Sequence, residues 1–211
     1  MLWTTCPNIS IITNFGCHFN CWYCVWKNHK LKKHNNFDYN KLEDFLITHK
    51  NKGKVSISGG GDPLYNYFEN IKFWIWLIDI CKKHNIKIDI HTRTKLTKQN
   101  FWRKHIHRCV FSLDQITSDI TEYLIYLSHL TKLRITHTVT QYTTSKCVFD
   151  LLKLQDKLNC QLTLKELYEY YDKGVYNKLK IFYPNIYYLD HGDYNIYYMP
   201  DNSITDKFIM E

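Results

Sequence analysis

Short apolar runs alternating six times with longer amphipathic runs, followed by a strand-turn-strand stretch at the end, place this chain in the α/β class. The predicted architecture is an incomplete (βα)6 TIM-like barrel with parallel strands and a C-terminal antiparallel β-hairpin. Strict alternation puts the helices outside a parallel sheet, and six units are too few for the eight-strand ring. Residues 1–190 form the barrel region, and 191–211 extend the same domain as the hairpin.

The first strand is Ile9 to Thr13, and the loop behind it carries Cys17, Cys21 and Cys24. A helix follows from Asp38 to Lys50, with Asp38 as its cap and Leu42, Phe45 and Leu46 on its buried face. Strand Lys54 to Ser58 ends in Gly59, Gly60, Gly61, Asp62 and Pro63. A long helix from Tyr67 to His84 places Ile71, Trp74, Ile75, Ile78 and Cys81 at core spacing. Strand Lys87 to His91 precedes helix Lys98 to Ile106 behind a Thr97 cap, and strand Cys109 to Leu113 precedes helix Asp119 to Leu130 behind Ser118. Strand Leu133 to Val139, helix Lys146 to Leu158, strand Gln161 to Lys165 and a short helix near Val175 to Ile181 complete the alternation. The hairpin strands are Tyr194 to Met199 and Ile204 to Ile209, turning at Pro200, Asp201 and Asn202.

Composition excludes several classes. A chain of 211 residues with 45% hydrophobic and 16% aromatic residues can bury a core and is not disordered. No uncharged apolar run is long enough to span a bilayer. Residues 1–10 lack the basic start and apolar run of a secretory signal, so the expectation is a cytoplasmic protein with no membrane partner. Five cysteines, Cys6, Cys81, Cys109, Cys147 and Cys160, are scattered singly and read as reduced core residues. The net charge of +8 suits an acidic or phosphorylated partner. Richness in Lys, Asn, Ile and Tyr throughout also fits a genome poor in G and C, and no recognised nucleic-acid motif is present. Nucleic acid is therefore not indicated. His29, His34, His49, His84, His105 and His107 read as a solvated surface, and the Trp74/Trp76 pair as core packing.

In parallel βα folds, functional groups collect where strands end. The unusual residues of this chain fall there: the cysteine loop, the triple glycine, His91-Thr92-Arg93-Thr94, Ser112-Leu113-Asp114, Thr138-Val139-Thr140 and Lys165-Glu166. His91, His137, Lys165 and Glu166 are candidates to face substrate. Three thiolates on one loop can hold three irons of a 4Fe-4S cube and leave the fourth open. Structural zinc is the rival, with His18, His29 or His34 completing a Cys3His site.

The spacing Cys17-x3-Cys21-x2-Cys24, with Tyr23 before the last cysteine, together with Gly60-Gly61-Asp62-Pro63 after the second strand, resembles the radical S-adenosylmethionine (SAM) superfamily. The resemblance implies that Cys17, Cys21 and Cys24 bind a 4Fe-4S cluster whose open iron is chelated by SAM. It implies reductive cleavage to a 5′-deoxyadenosyl radical that abstracts hydrogen from substrate, with the electron from an external reductant such as flavodoxin or ferredoxin. Gly60, Gly61 and Asp62 would support the SAM amino group, and the backbone at Tyr23 would touch adenine. Ser112 and Asp114 would take the ribose hydroxyls, and Arg93 the SAM carboxylate or a substrate anion. Members usually have Gly-Gly-Glu-Pro, and Asp62 is one methylene shorter than that glutamate.

Without a second cysteine cluster, the chain does not match members that modify peptides with auxiliary clusters. The substrate is unidentified, and the basic charge favours a small, nucleotide-like one. An activase of a glycyl-radical enzyme is the alternative within the resemblance. A non-catalytic iron-sulfur or zinc-binding protein is the alternative outside it.

Overall fold

The structure is a computed structural model and describes residues 8–24, 27, 36–97, 104–167, 174–189 and 195–206. It divides into two compact units, one of residues 1–107 with 193–211 and one of residues 108–192.

In the first unit, β1 (Asn8–Ile12), β2 (Lys54–Ser58) and β3 (Lys87–Thr92) run parallel in the order β3-β2-β1. The apolar side chains Ile9, Val55 and Ile88 share one register position, and Ile11, Ile57 and Ile90 another. The alternate positions carry Ser10, Ser56 and Asp89, so the two faces of the sheet differ in polarity. Helix α1 (Tyr39–Thr48) begins where the Asp38 carboxylate accepts the N–H groups of Asn40 and Lys41, both at 3.1 Å, and it buries Leu42, Phe45 and Leu46 as expected.

Helix α2 (Ile71–Lys83) starts four residues later than predicted. Residues 63–70 are turns, and Asn70, at the N-cap, donates its side-chain amide back to the Tyr65 and Asn66 carbonyls. The buried face is also rotated by about one residue. Phe73 and Leu77 are inside with Trp74, Ile78 and Cys81, whereas Ile75 is exposed. Trp76 lies outside the core, its ring against that of Tyr39.

The C-terminal hairpin packs at the sheet edge beside β1. Strand β8 (Asn195–Tyr198) pairs parallel with β1 and turns into the antiparallel β9 (Ile204–Thr205). The predicted end of that second strand, residues 207–209, lies outside the described residues. Tyr198 is fully buried, and its hydroxyl donates to the Asp38 carbonyl or to Asn202 Oδ1 beside it. His107 is more than a solvated surface residue, because its Nδ1 sits 3.1 Å from the buried carboxylate of Asp89.

Strand β4 (Ile106–Ser112) begins with the last two residues of the first unit's 1–107 segment, and in the second unit its remainder, β5 (Lys132–Thr138), β6 (Gln161–Lys165) and β7 (Tyr187–Leu189) pair parallel in that order. Ile106 therefore opens a strand and does not close a helix; the rest of that expected helix lies mostly outside the described residues. Helix α3 (Ser118–Ser128) starts one residue early because Thr117, and not Ser118, is its cap, accepting from the Ile120 N–H at 3.3 Å. Helix α4 (Ser145–Leu158) is capped by Thr144, and α5 (Gly174–Phe182) leads to β7, a three-residue strand hidden from sequence reading by its tyrosine-rich surroundings. Among the described residues neither unit's strands close into a ring, and both belong to the α/β class with mostly parallel strands and helical connections. No helix among the described residues is long and apolar enough to cross a membrane.

Candidate functional site

The first unit brings the cysteine loop and the glycine loop into direct contact. The chain leaves β1 through Asn14, φ 44°, and Gly16, φ 108°, just before Cys17. Gly16 forms a parallel bridge with Gly61, and the Asp62 N–H donates to the Gly16 carbonyl at 2.8 Å. Gly60 and Gly61 permit this approach. A Cβ on Gly60 would stand 1.3 Å from Asn14 Oδ1, and one on Gly61 would stand 2.2 Å from the Gly16 carbonyl oxygen. Both also have positive φ, 60° and 118°, a region that glycine enters without the strain a Cβ brings.

Asp62 then ties this pair of loops to the end of β3. Its carboxylate is 4% exposed. Oδ1 accepts from the Leu64 N–H at 2.9 Å, Oδ2 accepts from the N–H groups of Arg93 and Thr94 at 2.8 and 3.2 Å, and the Thr92 hydroxyl lies within 2.8 to 3.0 Å of both oxygens. This chain's own donors thus occupy the carboxylate. With its backbone held there, Arg93 extends its guanidinium to the cysteine loop. Nη1 lies 3.3 Å from Cys21 Sγ, and the guanidinium carbon lies 4.7 Å from the centre of the Phe19 ring.

Cys17, Cys21 and Cys24 are all half-buried. The Phe19 N–H donates to Cys17 Sγ at 3.4 Å, and the Cys24 N–H closes a turn onto the Cys21 carbonyl at 3.2 Å. Burial pushes the Cys17 thiol above its ordinary value; the Phe19 N–H opposes this, and the nearby Asp62, Cys24 and Cys21 add to it. The residues fit a thiolate-bound metal cluster in their donor set, since three thiols share one loop and N–H donors already point at two of the sulfurs. Among the described residues no group of three or more His, Cys, Asp and Glu side chains is drawn into a metal-ligating arrangement. Of the histidines considered for zinc, His18 packs against Phe19 and Tyr65, while His29 and His34 lie outside the described residues.

Tyr23 is half-buried with its ring edge-on to Trp22 at 5.4 Å. Ser112 and Asp114 belong to the second unit. Ser112 is exposed at the end of β4, in register with Thr136, and Asp114 lines a cleft of about 380 Å³ with Gln115, Ile116 and the first turns of α4. His137 turns to the helix side of its strand, where it meets Leu113 and Cys147. Glu166 is buried at the end of β6, its N–H bonded to the Leu189 carbonyl. Of the scattered cysteines, Cys81 and Cys109 are buried, and Cys147 and Cys160 are only half-buried. Sequence reading missed Asn14, Gly16 and Phe19. Gly16, directly before Cys17, carries the only signal that could have announced the contact.

An α/β protein with a three-cysteine loop after its first strand, docked on a glycine loop after its second, is the class that fold and site define. Solved structures of SuiB from Streptococcus suis share the fold. The structure of SuiB bound to S-adenosylmethionine matches with TM-score 0.67 and 16% identity over 97% of this chain and 61% of SuiB. The structure bound to the precursor peptide SuiA matches with TM-score 0.66 and 19% identity over 89% of this chain and 49% of SuiB. The chain thus spans about half to three fifths of the length of these structures. No protein-family profile and no curated protein matches the sequence.

Proposed function

We propose that the chain is a radical SAM enzyme. The observation that carries this reading is the bridge between Gly16 and Gly61, which joins the two superfamily motifs at the base of the cysteine loop. Cys17, Cys21 and Cys24 would hold three irons of a 4Fe-4S cluster. When bound, cluster and SAM supply reductive cleavage of the sulfonium and hydrogen-atom abstraction from substrate.

This chain's own residues position that chemistry. Gly60 and Gly61 let Asn14 and the Gly16 carbonyl pack where a Cβ would stand, which seats the glycine loop on the cysteine loop, and their carbonyl oxygens would be the acceptors for the SAM amino group. The Asp62 carboxylate fixes the ends of β2 and β3 to one another, so that Arg93 is delivered to Cys21 from a rigid base. We assign Asp62 this bracing role in place of direct contact with the SAM amino group. The electron would come from an external one-electron reductant.

The basic charge favours a small, nucleotide-like molecule. The neighbour solved with a precursor peptide favours a peptide. Anaerobic reconstitution with iron and sulfide, followed by SAM and dithionite, tests the class: 5′-deoxyadenosine should form, and a fully loaded cluster that yields none rejects the reading. Adding a candidate peptide or a nucleotide to the same assay then separates the substrate readings by which one accelerates SAM cleavage.

A further inference from the structure

Independently of the cysteine loop, the second unit aligns a thiol, a base and a group that orients the base. His137 is buried on β5, with Nδ1 2.8 Å from the Leu113 carbonyl oxygen. A carbonyl only accepts, so Nδ1 carries the proton and the neutral ring presents an unprotonated Nε2, which accepts from the Thr143 hydroxyl or the Cys147 thiol. That nitrogen lies 3.3 Å from Thr143 Oγ1 and 3.9 Å from Cys147 Sγ. Cys147 sits in the first turn of α4, where its N–H is capped by Thr144 Oγ1 at 3.2 Å. Its half-exposed side chain lines the cleft of about 380 Å³ together with Asp114, Gln115, Ile116, Lys146 and Asp150.

A nucleophile within reach of a base, with the base oriented by a third group, is the signature of an activated nucleophile. A cysteine that merely filled core space would need neither a cleft nor a base. Cys81 and Cys109 show that contrast, because both are buried. Burial pushes the Cys147 thiol up, Asp150 adds to this and Lys146 opposes it; burial pushes the His137 imidazole down, while its bond to Leu113 and the charge of Asp114 oppose that. The resting pair is therefore a neutral thiol beside a neutral imidazole.

We propose that Cys147 is a thiol–disulfide exchange site, served by His137 as general base, for a small disulfide bearing cationic groups. As Sγ attacks one sulfur of the disulfide, its proton passes to His137 Nε2 and the disulfide bond breaks. A new S–S bond joins Cys147 to half of the reagent, and the departing thiolate takes the proton back from Nε2 and leaves as a thiol. One thiol is oxidised and one is released, so the exchange balances. The charged groups facing the thiol are Asp114 from the loop after β4 and Lys146 and Asp150 from α4, with Lys146 and Asp150 paired at 2.6 Å. Two carboxylates against one ammonium favour a cationic reagent.

The test is timed exposure of the full chain to cystamine, with the Cys147 adduct read by peptide-resolved mass spectrometry between about pH 6 and pH 8.5. With His137 as base, the rate levels off once the imidazole is neutral. Without a base, it climbs about tenfold per pH unit, following the thiolate fraction. His137→Gln should slow the adduct about tenfold or more near pH 7 and restore the climb. Equal rates in the two proteins, or a tenfold-per-unit climb in the unsubstituted chain, would overturn the proposal. The profile of the unsubstituted chain decides alone if His137→Gln does not fold. Cystamine should also outpace the anionic dithiodiglycolate severalfold, and the reverse order would overturn the assigned reagent class.

Discussion

Arg93 donates from Nη1 to the sulfur of Cys21 at 3.3 Å, while the N–H of the same residue is held by the Asp62 carboxylate at 2.8 Å. With a cluster held at Cys21 as proposed, a cationic N–H donor on the ligating sulfur would stabilise the more negative, reduced state and so raise the reduction potential. Arg93→Gln removes the charge and, being shorter, the reach. In the reconstituted protein the reduced-to-oxidised ratio at a fixed potential should fall by about tenfold, which for one electron is about 59 mV toward more negative potential. Arg93→Lys should recover part of it. Potentiometric titration followed by electron paramagnetic resonance checks this, and an unshifted midpoint in Arg93→Gln would show that the contact does not tune the cluster.

The Asp62 carboxylate predicts an unusual ranking of substitutions. Asp62→Ala leaves the Thr92 hydroxyl and the N–H groups of Leu64, Arg93 and Thr94 without their acceptor, a loss of about 3 kcal/mol or more. Asp62→Asn is nearly as costly despite its equal size, because its NH2 must face a donor whichever way the amide turns. Asp62→Glu inserts a methylene into a buried bracket and should cost about 1 to 3 kcal/mol, although glutamate is the usual superfamily residue. Denaturant unfolding midpoints measure the order; an Asp62→Asn protein as stable as the parent would contradict the bracket.

Local signals were legible where they sufficed. Strands Lys54–Ser58 and Gln161–Lys165 end where the sequence predicts, since a short run of alternating apolar residues between flanking turn residues defines them without outside help. The cysteine and glycine motifs were readable by spacing, and so was the Asp38 cap. Partners from remote strands were not. Asp62 finds Thr92, Arg93 and Thr94 about thirty positions on, and nothing in the local sequence says that its carboxylate turns there. The start of α2 was not readable, because Asn70 closes the turns before it with side-chain bonds back to the Tyr65 and Asn66 carbonyls inside an apolar-periodic window. The direction of His137 depended on strand parity, which a one-residue shift in register inverts.

Gly60 and Gly53 form a matched pair with different surroundings. Their φ values are alike, 60° and 71°, so an added Cβ strains each backbone by about 1 kcal/mol. Nothing lies within 4 Å of a Cβ on Gly53, whereas on Gly60 it meets Asn14 Oδ1 at 1.3 Å and Asn14 Cα at 2.8 Å. Gly53→Ala should therefore lose about 1 kcal/mol and retain iron on reconstitution. Gly60→Ala should lose at least about 2 kcal/mol more and bind iron poorly, because the loop that carries Cys17 must move. Adding Asn14→Ala should rescue it only in part, since the Asn14 backbone remains in the way. Unfolding midpoints and iron content give the two readouts, and equal losses in the two glycine variants would remove the role assigned to the docked loops.

Cys81 on α2 is 2% exposed, and burial pushes its thiol up to about 12 from an ordinary 9.0. The unfolded chain releases this proton near 9.0 while the folded chain keeps it, so between those values the native state binds more protons than the unfolded one. Stability must then fall as pH rises, with a contribution of about 1.4 kcal/mol per pH unit from this group alone. The stabilisation is complete below about pH 9 and is lost as pH climbs toward 12. Cys81→Ala removes the titrating group at the cost of a small cavity, so it should be less stable at neutral pH yet show a shallower alkaline decline. Urea unfolding free energies at a series of pH values between about 8 and 10.5 provide the comparison. Parallel curves for the parent and Cys81→Ala would mean that the alkaline loss arises elsewhere, with Cys160, whose thiol burial pushes up to about 11, the next group to substitute.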